Sequence, residues 1–449
     1  MHLLNRRHGK VALAAAAAGA IVFSTAACSG DGGDGEEAST NADGQIVLTV
    51  SIFGNFGYTQ AGLEAEYEAA HPDIDVVIEG DGLQFDAEFR PTLETALETG
   101  SGAGDVVGID EQASPQLFSN PDYWYDLTAD YEDRKADYTE NTWNLGHDPE
   151  GRLVGFGTDI GGMGMCYRKD LFEAAGLPTD RAELAAEWST WDGFKDVAQR
   201  FVDADTGAAF LDGPTQLQNM LLSQLAGQGD GKMYVDSEGN LTLDSPAAQE
   251  SVNTVLELHE MGAIGNFASW TEEWNTGMAE GGFAIMPCPA WMAGGVIQPT
   301  SGEDNAGKWD MAAAPGVAGN WGGSFLGVPA QSAHPEEAAE LAAWLTAPEQ
   351  QIKVFNAVGN FPSSPTAQAD PAVAGATNPY FSDAPVGEII SASVQAFEPL
   401  EYSYYHPPVK GAVEGVLNGV ADGTYTNDQA WDEIQSAAEE ALALAGSGL

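Results

Sequence analysis

Between residues 46 and 110 the chain alternates strand and helix signals, and few architectures accept that order. Ile46 to Ile52 alternate as a strand does. The loop Gly54-Asn55-Phe56-Gly57-Tyr58 leads into a helical stretch through Leu63 and Tyr67. Ile74 to Ile78 reads as the next strand, 86–98 as a helix stopped by Gly100, and Asp105 to Asp110 as a third strand. Strands separated in this way predict a parallel sheet with helices on both faces, an α/β fold. Ligands of such sheets sit beyond the carboxyl ends of the strands, which here are Phe53 to Tyr58 and Asp110 to Glu111.

A second set of elements begins after residue 157. Gly162 to Arg168 reads as a strand, followed by a short helix, Asp170 to Ala175, closed by Gly176. Thr190 is expected to cap a helix whose apolar face carries Trp191, Phe194, Val197, Ala198 and Phe201. Ser237 to Asn240 is a hairpin signal, Ser245-Pro246 opens a helix to Met261, and Phe283 to Met286 is a buried strand. Leu326 to Pro329 is a short strand that crosses back to the first set. Helices follow at 335–346 and 348–358, and Asn427 is expected to cap a last one. About 405 residues after the leader exceed what one hydrophobic core serves, so two domains are expected.

The N-terminus has the three parts of an export signal. Arg6, Arg7 and Lys10 precede an apolar run, Val11 to Phe23, which is short of the ~20 residues that span a bilayer. Thr25-Ala26-Ala27 then forms a small-residue cleavage site. Ending at Cys28, this segment resembles a bacterial lipobox, although Thr25 stands where an aliphatic residue is usual. The expectation is a signal peptide over 1–27 and a lipidated Cys28 that anchors the protein outside the cell membrane. Residues 28–44, rich in Gly, Asp, Glu and Ser, are expected to be a flexible tether.

A formal net charge of −52 argues against nucleic acid or anionic lipid as partners. It predicts a solvated acidic surface, and its sharper reading is adaptation to salt. With Cys28 lipidated, Cys166 and Cys288 remain as an even pair in an oxidising compartment. A Cys166–Cys288 bridge is expected; two buried free thiols are the alternative. No His or Cys lies at ligand spacing beside either, so no metal and no cofactor are expected. HExxH, GxSxG and the phosphate-binding GxxxxGK[ST] are missing. Gly155 to Ile160 begins like a dinucleotide fingerprint, but Ile160 stands where the third glycine belongs.

Several segments resemble the family 1 extracellular solute-binding proteins of carbohydrate-importing ABC transporters. They are FGNFGY (53–58), GTDIGGMGMCYRKDLFEAAGLP (157–178), CPAWM (288–292), NWGGSFLGVP (320–329) and HPEEAAELAAWLTAPEQQ (334–351). The resemblance is nearest to actinobacterial binders of cellobiose and cello-oligosaccharides. It implies a two-lobed, hinged α/β fold with three crossovers. One lobe would take 45–157 and 327–363, the other 158–326 and 364–449. A monomer would hold an oligosaccharide in the cleft and pass it to the permease. A secreted glycoside hydrolase, or an adhesion lipoprotein without a small ligand, are the rival readings.

A pyranose offers apolar C–H faces and a belt of hydroxyls, so its site needs flat rings and fixed hydrogen-bonding groups. In the resemblance Trp291 of Pro-Ala-Trp stacks on a sugar ring. Trp321 precedes Gly322 and Gly323, which let backbone approach a ligand. Asp159 and Gly161 sit at the first crossover. Asn55, Tyr58 and Glu111 end strands on the ligand side. Of Trp270 and Trp274, four apart, one is expected to face the cleft and the other to pack. Tyr404 lies in a Pro-flanked aromatic loop that would wall a second sugar subsite. All eleven, with Gly322 counted, are candidate ligand contacts.

Overall fold

The computed structural model describes residues 40–316 and 319–446. The export signal, Cys28 and residues 28–39 of the expected tether lie outside these. Residues 40–44 are not loose: Thr40 bridges Ile46, and the Asn41 amide donates to Asp75 at 3.0 Å. That side chain gives the segment a partner that the composition of the stretch does not reveal.

Three parallel strands form as expected, β1 (Ile46–Ser51), β2 (Ile74–Glu79) and β3 (Val106–Asp110), with β1 in the middle. Leu48 and Val50 are fully buried on β1, and the helices Leu63–Ala70 and Arg90–Thr99 run between the strands. Gly100 ends the second of these at φ 74°, a left-handed cap that glycine adopts without strain.

β4 (Gly155–Arg168) starts seven residues earlier than the sequence suggests. Glycines at 155, 157, 161 and 162 hide its strand character, because they have low β-propensity and supply no alternating side chains. It is followed by β5 (Ala209–Leu211), β6 (Phe283–Pro289), β7 (Trp309–Ala313) and β8 (Asn320–Gly327). The strand order is β2-β1-β3-β8-β4-β6-β5, with β7 also on β4. β8 is longer than the Leu326–Pro329 expected and takes in the Asn-Trp-Gly-Gly run.

β4 and β8 carry the chain from one half to the other. Gly155 to Gly162 pair with β8, with register shifts at Gly157/Asp159 and Ile160/Gly162. Met163 to Arg168 pair instead with β6 and β7. A third strand of chain passes alongside, where the Ile160 N–H donates to the Phe361 carbonyl at 2.9 Å. On one side lie cores built on Leu48, Val106 and Leu341, and on Leu93, Val107 and Phe118. On the other lie cores built on Met165, Phe210 and Leu221, and on Trp274, Met286 and Phe361.

Cys166 and Cys288 are bonded, with a Cα–Cα distance of 5.4 Å, tying β4 to β6. The bridge expected from the cysteine count is present. Thr190 and Ser245 cap their helices as expected, each hydroxyl accepting from the N–H three residues on. Asn427 does not act as a cap: its amide donates to the Leu256 carbonyl and its oxygen meets His259. The expected aromatic loop after Pro399 is cut short by a helix, His406–Ala421, with Pro407 and Pro408 in its first turn, where a missing N–H costs nothing.

Candidate functional site

β6 is buried along its whole length and delivers Trp291 at its end. β8 delivers Trp321 as its second residue, and the turn before the helix Glu272–Glu280 delivers Trp270. The three indoles meet. Trp291 and Trp321 are edge to face with centroids 5.2 Å apart, and Trp291 Nε1 donates to the Trp321 carbonyl at 3.3 Å. Trp270 lies nearly parallel to Trp291 at 6.2 Å, and 6.5 Å from Trp321. Trp270 is 43 % exposed and takes φ 70°, a strained conformation for a side chain of this size. Its carbonyl accepts from Gln84 Nε2 at 3.3 Å, a contact from one half to the other. Trp274 is sealed, and its indole donates to Asp212 at 2.9 Å. Of this pair, Trp270 faces out and Trp274 packs.

The glycines beside Trp321 bring this aromatic wall against a group of acids. Gly322 and Gly323 have φ 85° and 132°. A Cβ on Gly322 would stand 3.4 Å from Trp291 Nε1, and one on Gly323 only 2.7 Å from Glu111 Oε2. Gly161 is equally constrained, since its Cβ would fall 1.9 Å from the Trp321 carbonyl. At Gly161 and Gly323 close packing alone explains the glycine.

Glu111 is 5 % exposed and accepts from Asn320 Nδ2 at 2.7 Å and Asn141 Nδ2 at 3.4 Å. Burial pushes its carboxyl up to about 8; the Asn320 bond opposes the rise, and the charges of Asp110 and Asp159 add to it. Asp159 and Asp110, each partly buried, are pushed up to about 6, again chiefly by burial. Asp159 accepts from Thr158 Oγ1 at 2.7 Å, and Asp110 caps the following turn through the Gln112 N–H.

The remaining candidates separate. Tyr58 is 2 % exposed, packed in the first core with Phe56, and does not stand at an open wall. Asn55 is exposed, and its carbonyl accepts from Asn360 Nδ2 at 2.8 Å. It borders a groove of about 660 Å³ with Ala290, Gly294, Gln298, Asn356 and Gly359. Tyr404 is 40 % exposed and meets Tyr405, not the tryptophans. Tyr402, two residues earlier, is the ring turned toward the acids: after burial, Glu111 and then Asp110 raise its phenol. Asn320 was not among the candidates, and Tyr402 was expected only as a ring of the aromatic loop that carries Tyr404. Asn320 is visible only as the polar residue before Trp321.

The pattern of the bacterial extracellular solute-binding proteins matches residues 63–380, well over half of the chain. The chain belongs to that family. A solved structure of an extracellular solute-binding protein of family 1 is 34 % identical, with a TM-score of 0.76 over 88 % of this chain and 100 % of that one. The arabinooligosaccharide-binding protein of Halalkalibacterium halodurans is 26 % identical over 53 % of this chain and 51 % of its own. The lactose-binding protein of Rhizobium radiobacter is 29 % identical over 61 % of this chain and 64 % of its own. The matched region thus spans about half of one curated relative and just under two thirds of the other.

In this solute-binding protein the tryptophans and the acids occupy the seam where β4 and β8 pass between the halves. Flat faces and hydrogen-bonding oxygens side by side suit a polyhydroxylated ring. Among the described residues no group of three or more His, Cys, Asp or Glu could hold a metal ion. No helix there is long and apolar enough to cross a membrane.

Proposed function

We propose that this solute-binding protein captures an oligosaccharide for an ABC importer and hands it to the permease. The observation that carries the reading is the contact of Trp270, Trp291 and Trp321 beside Glu111 and Asp159. Trp291 and Trp321 supply the stacking faces, Trp270 covers them from outside, and Asp159 and Glu111 accept from hydroxyls. A Kd near 1 µM requires only about −8 kcal/mol, within reach of two stacked rings and a few charge-assisted hydrogen bonds. The lobes are 45–157 with 327–363 and 158–326 with 364–449, closing over sugar by hinge motion. The protein works as a monomer outside the cell, held to the membrane by lipid on Cys28, without cofactor and without catalysis.

Relatives that bind arabino-oligosaccharides and lactose support an oligosaccharide as the ligand class. A β-gluco-oligosaccharide such as cellobiose is the ligand proposed. A thermal-shift panel of cellobiose, cellotriose, lactose, maltose, xylobiose and arabinobiose tests this. Cellobiose or cellotriose should raise Tm most; a response to none of the panel would overturn the reading. The raised carboxyl of Glu111 also favours a second reading, since a glycoside hydrolase uses such a group as its acid. Cello-oligosaccharides incubated with the protein should be recovered intact; cleavage products would favour the hydrolase.

A further inference from the structure

The groove that Asn55 borders has a volume of about 660 Å³, inside the ~300–1,000 Å³ typical of small-ligand sites. Both of its walls adjoin the tryptophans. Ala290, on one wall, is the residue before Trp291. Asn55, on the other, follows Gly54, whose N–H donates to the Leu83 carbonyl at 2.8 Å and whose carbonyl accepts from the Gly82 N–H at 2.6 Å. The same loop carries Gln84, which donates to the Trp270 carbonyl. The groove is thus built on the segments that hold the aromatic wall.

Its polar groups are of one kind. The chain carries 68 acidic residues, yet among the described residues Glu303 alone brings a charge to the groove, so a charged ligand finds little there. The other polar side chains are Thr377 and four amides. Asn378 Oδ1 is used, accepting from the Tyr380 N–H at 3.0 Å. The side-chain amides of Asn55, Gln298 and Asn356 bond no described residue. An amide offers donors and an acceptor together, which is what a hydroxyl group needs on both sides.

Gly295 is a second observation. It lines the groove from the π-helical turn Met292–Ile297, a form that recurs at functional sites. A Cβ at Gly295 would meet nothing within 4 Å, and its φ is not positive, so neither packing nor backbone conformation requires glycine. Glycine weakens a helix relative to alanine. What it supplies here is bare backbone and room on the groove wall. Its neighbour Gly294 differs, since a Cβ there would stand 2.6 Å from the Val358 carbonyl.

We propose that this groove extends the sugar site: rings beyond those stacked on the tryptophans lie along it, their hydroxyls bonded by Asn55, Gln298 and Asn356, so the ligand is longer than a disaccharide. This rests on reading the tryptophan seam as the sugar site. The groove reads hydroxyls through amides, where the seam offers indole faces. Each further ring therefore gains affinity from hydrogen bonds, in modest steps.

Titration calorimetry with cellobiose, cellotriose, cellotetraose and cellopentaose tests this. Wild-type affinity should rise about tenfold or more from cellobiose to cellotetraose, as a few net hydrogen bonds supply. The double variant Gln298→Ala/Asn356→Ala should lose most of that rise, and Gly295→Leu, whose side chain fills the groove, should lose it all. Cellobiose affinity should stay near the wild-type value in both. Equal affinity along the wild-type series, or a rise that survives in both variants, would overturn the proposal. If Gly295→Leu does not fold, the double variant carries the test, since neither of its amides bonds the fold; an undiminished rise overturns the proposal there too. Cellobiose bound with no gain for longer chains sinks the groove alone. No binding by any member of the series sinks the proposed ligand, and the groove with it.

Discussion

Trp291 and Trp274 show how far two tryptophans in one chain can diverge. Trp291 is half-buried among other indoles, so Trp291→Ala removes a stacking face without opening a closed core. It should weaken sugar binding at least about tenfold, or 1.4 kcal/mol, with the unfolding transition still cooperative; titration calorimetry and thermal melts check both. Trp274 serves Asp212, which is fully buried and pushed up to about 7. The folded state therefore holds a proton that the unfolded state releases at an ordinary ~4. Stability from this site is complete below pH ~4, declines as pH rises through about 7, and is level beyond. Urea unfolding at pH 5 and pH 8 should show a fall, on the order of 3 kcal/mol from this site, that is smaller in Asp212→Asn. What the sequence reveals here is uneven. The motif around Trp321 marks the aromatic wall, but only folding brings Asn320 and Tyr402 onto Glu111. Their separation along the chain leaves no local signal.

Among the elements, β1 to β3 are legible because alternating and β-branched side chains declare them. β4 and β8 are only half legible, because glycine carries no side chain whose period can be read. Those glycines are structural demands of the crossing strands. Gly161→Ala would drive a Cβ against the Trp321 carbonyl and should cost about 2 kcal/mol or more in denaturant unfolding. The helix His406–Ala421 is missed for another reason: Pro407-Pro408 reads as a loop signal, yet proline suits a helix's first turn. The Cys166–Cys288 bridge closes 122 residues between strands that already pair. Its loss, in the double Cys→Ala variant or on reduction, should cost about 4 kcal/mol, read as a drop in the urea midpoint.

At the scale of the whole molecule, 68 acidic residues face 16 basic ones. Among the described residues few of the acids form an ion pair, so self-repulsion opposes the compact state. The Debye length shortens from about 10 Å at 0.1 M salt to 3 Å at 1 M, so Tm should climb as NaCl rises through that range. A Tm unresponsive to salt would mean that the acids are too well solvated to repel. Chain order matters at this scale as well. β3 is complete by residue 110, but its neighbour β8 is built from residues 320–327. During synthesis or secretion, more than two hundred residues must emerge before that edge is covered. A chain cut near residue 300 would present an unpaired apolar strand to any other chain nearby. The first half of the sheet is therefore finished only when residues 320–327 have been made, and until then the edge of β3 stays open to other chains.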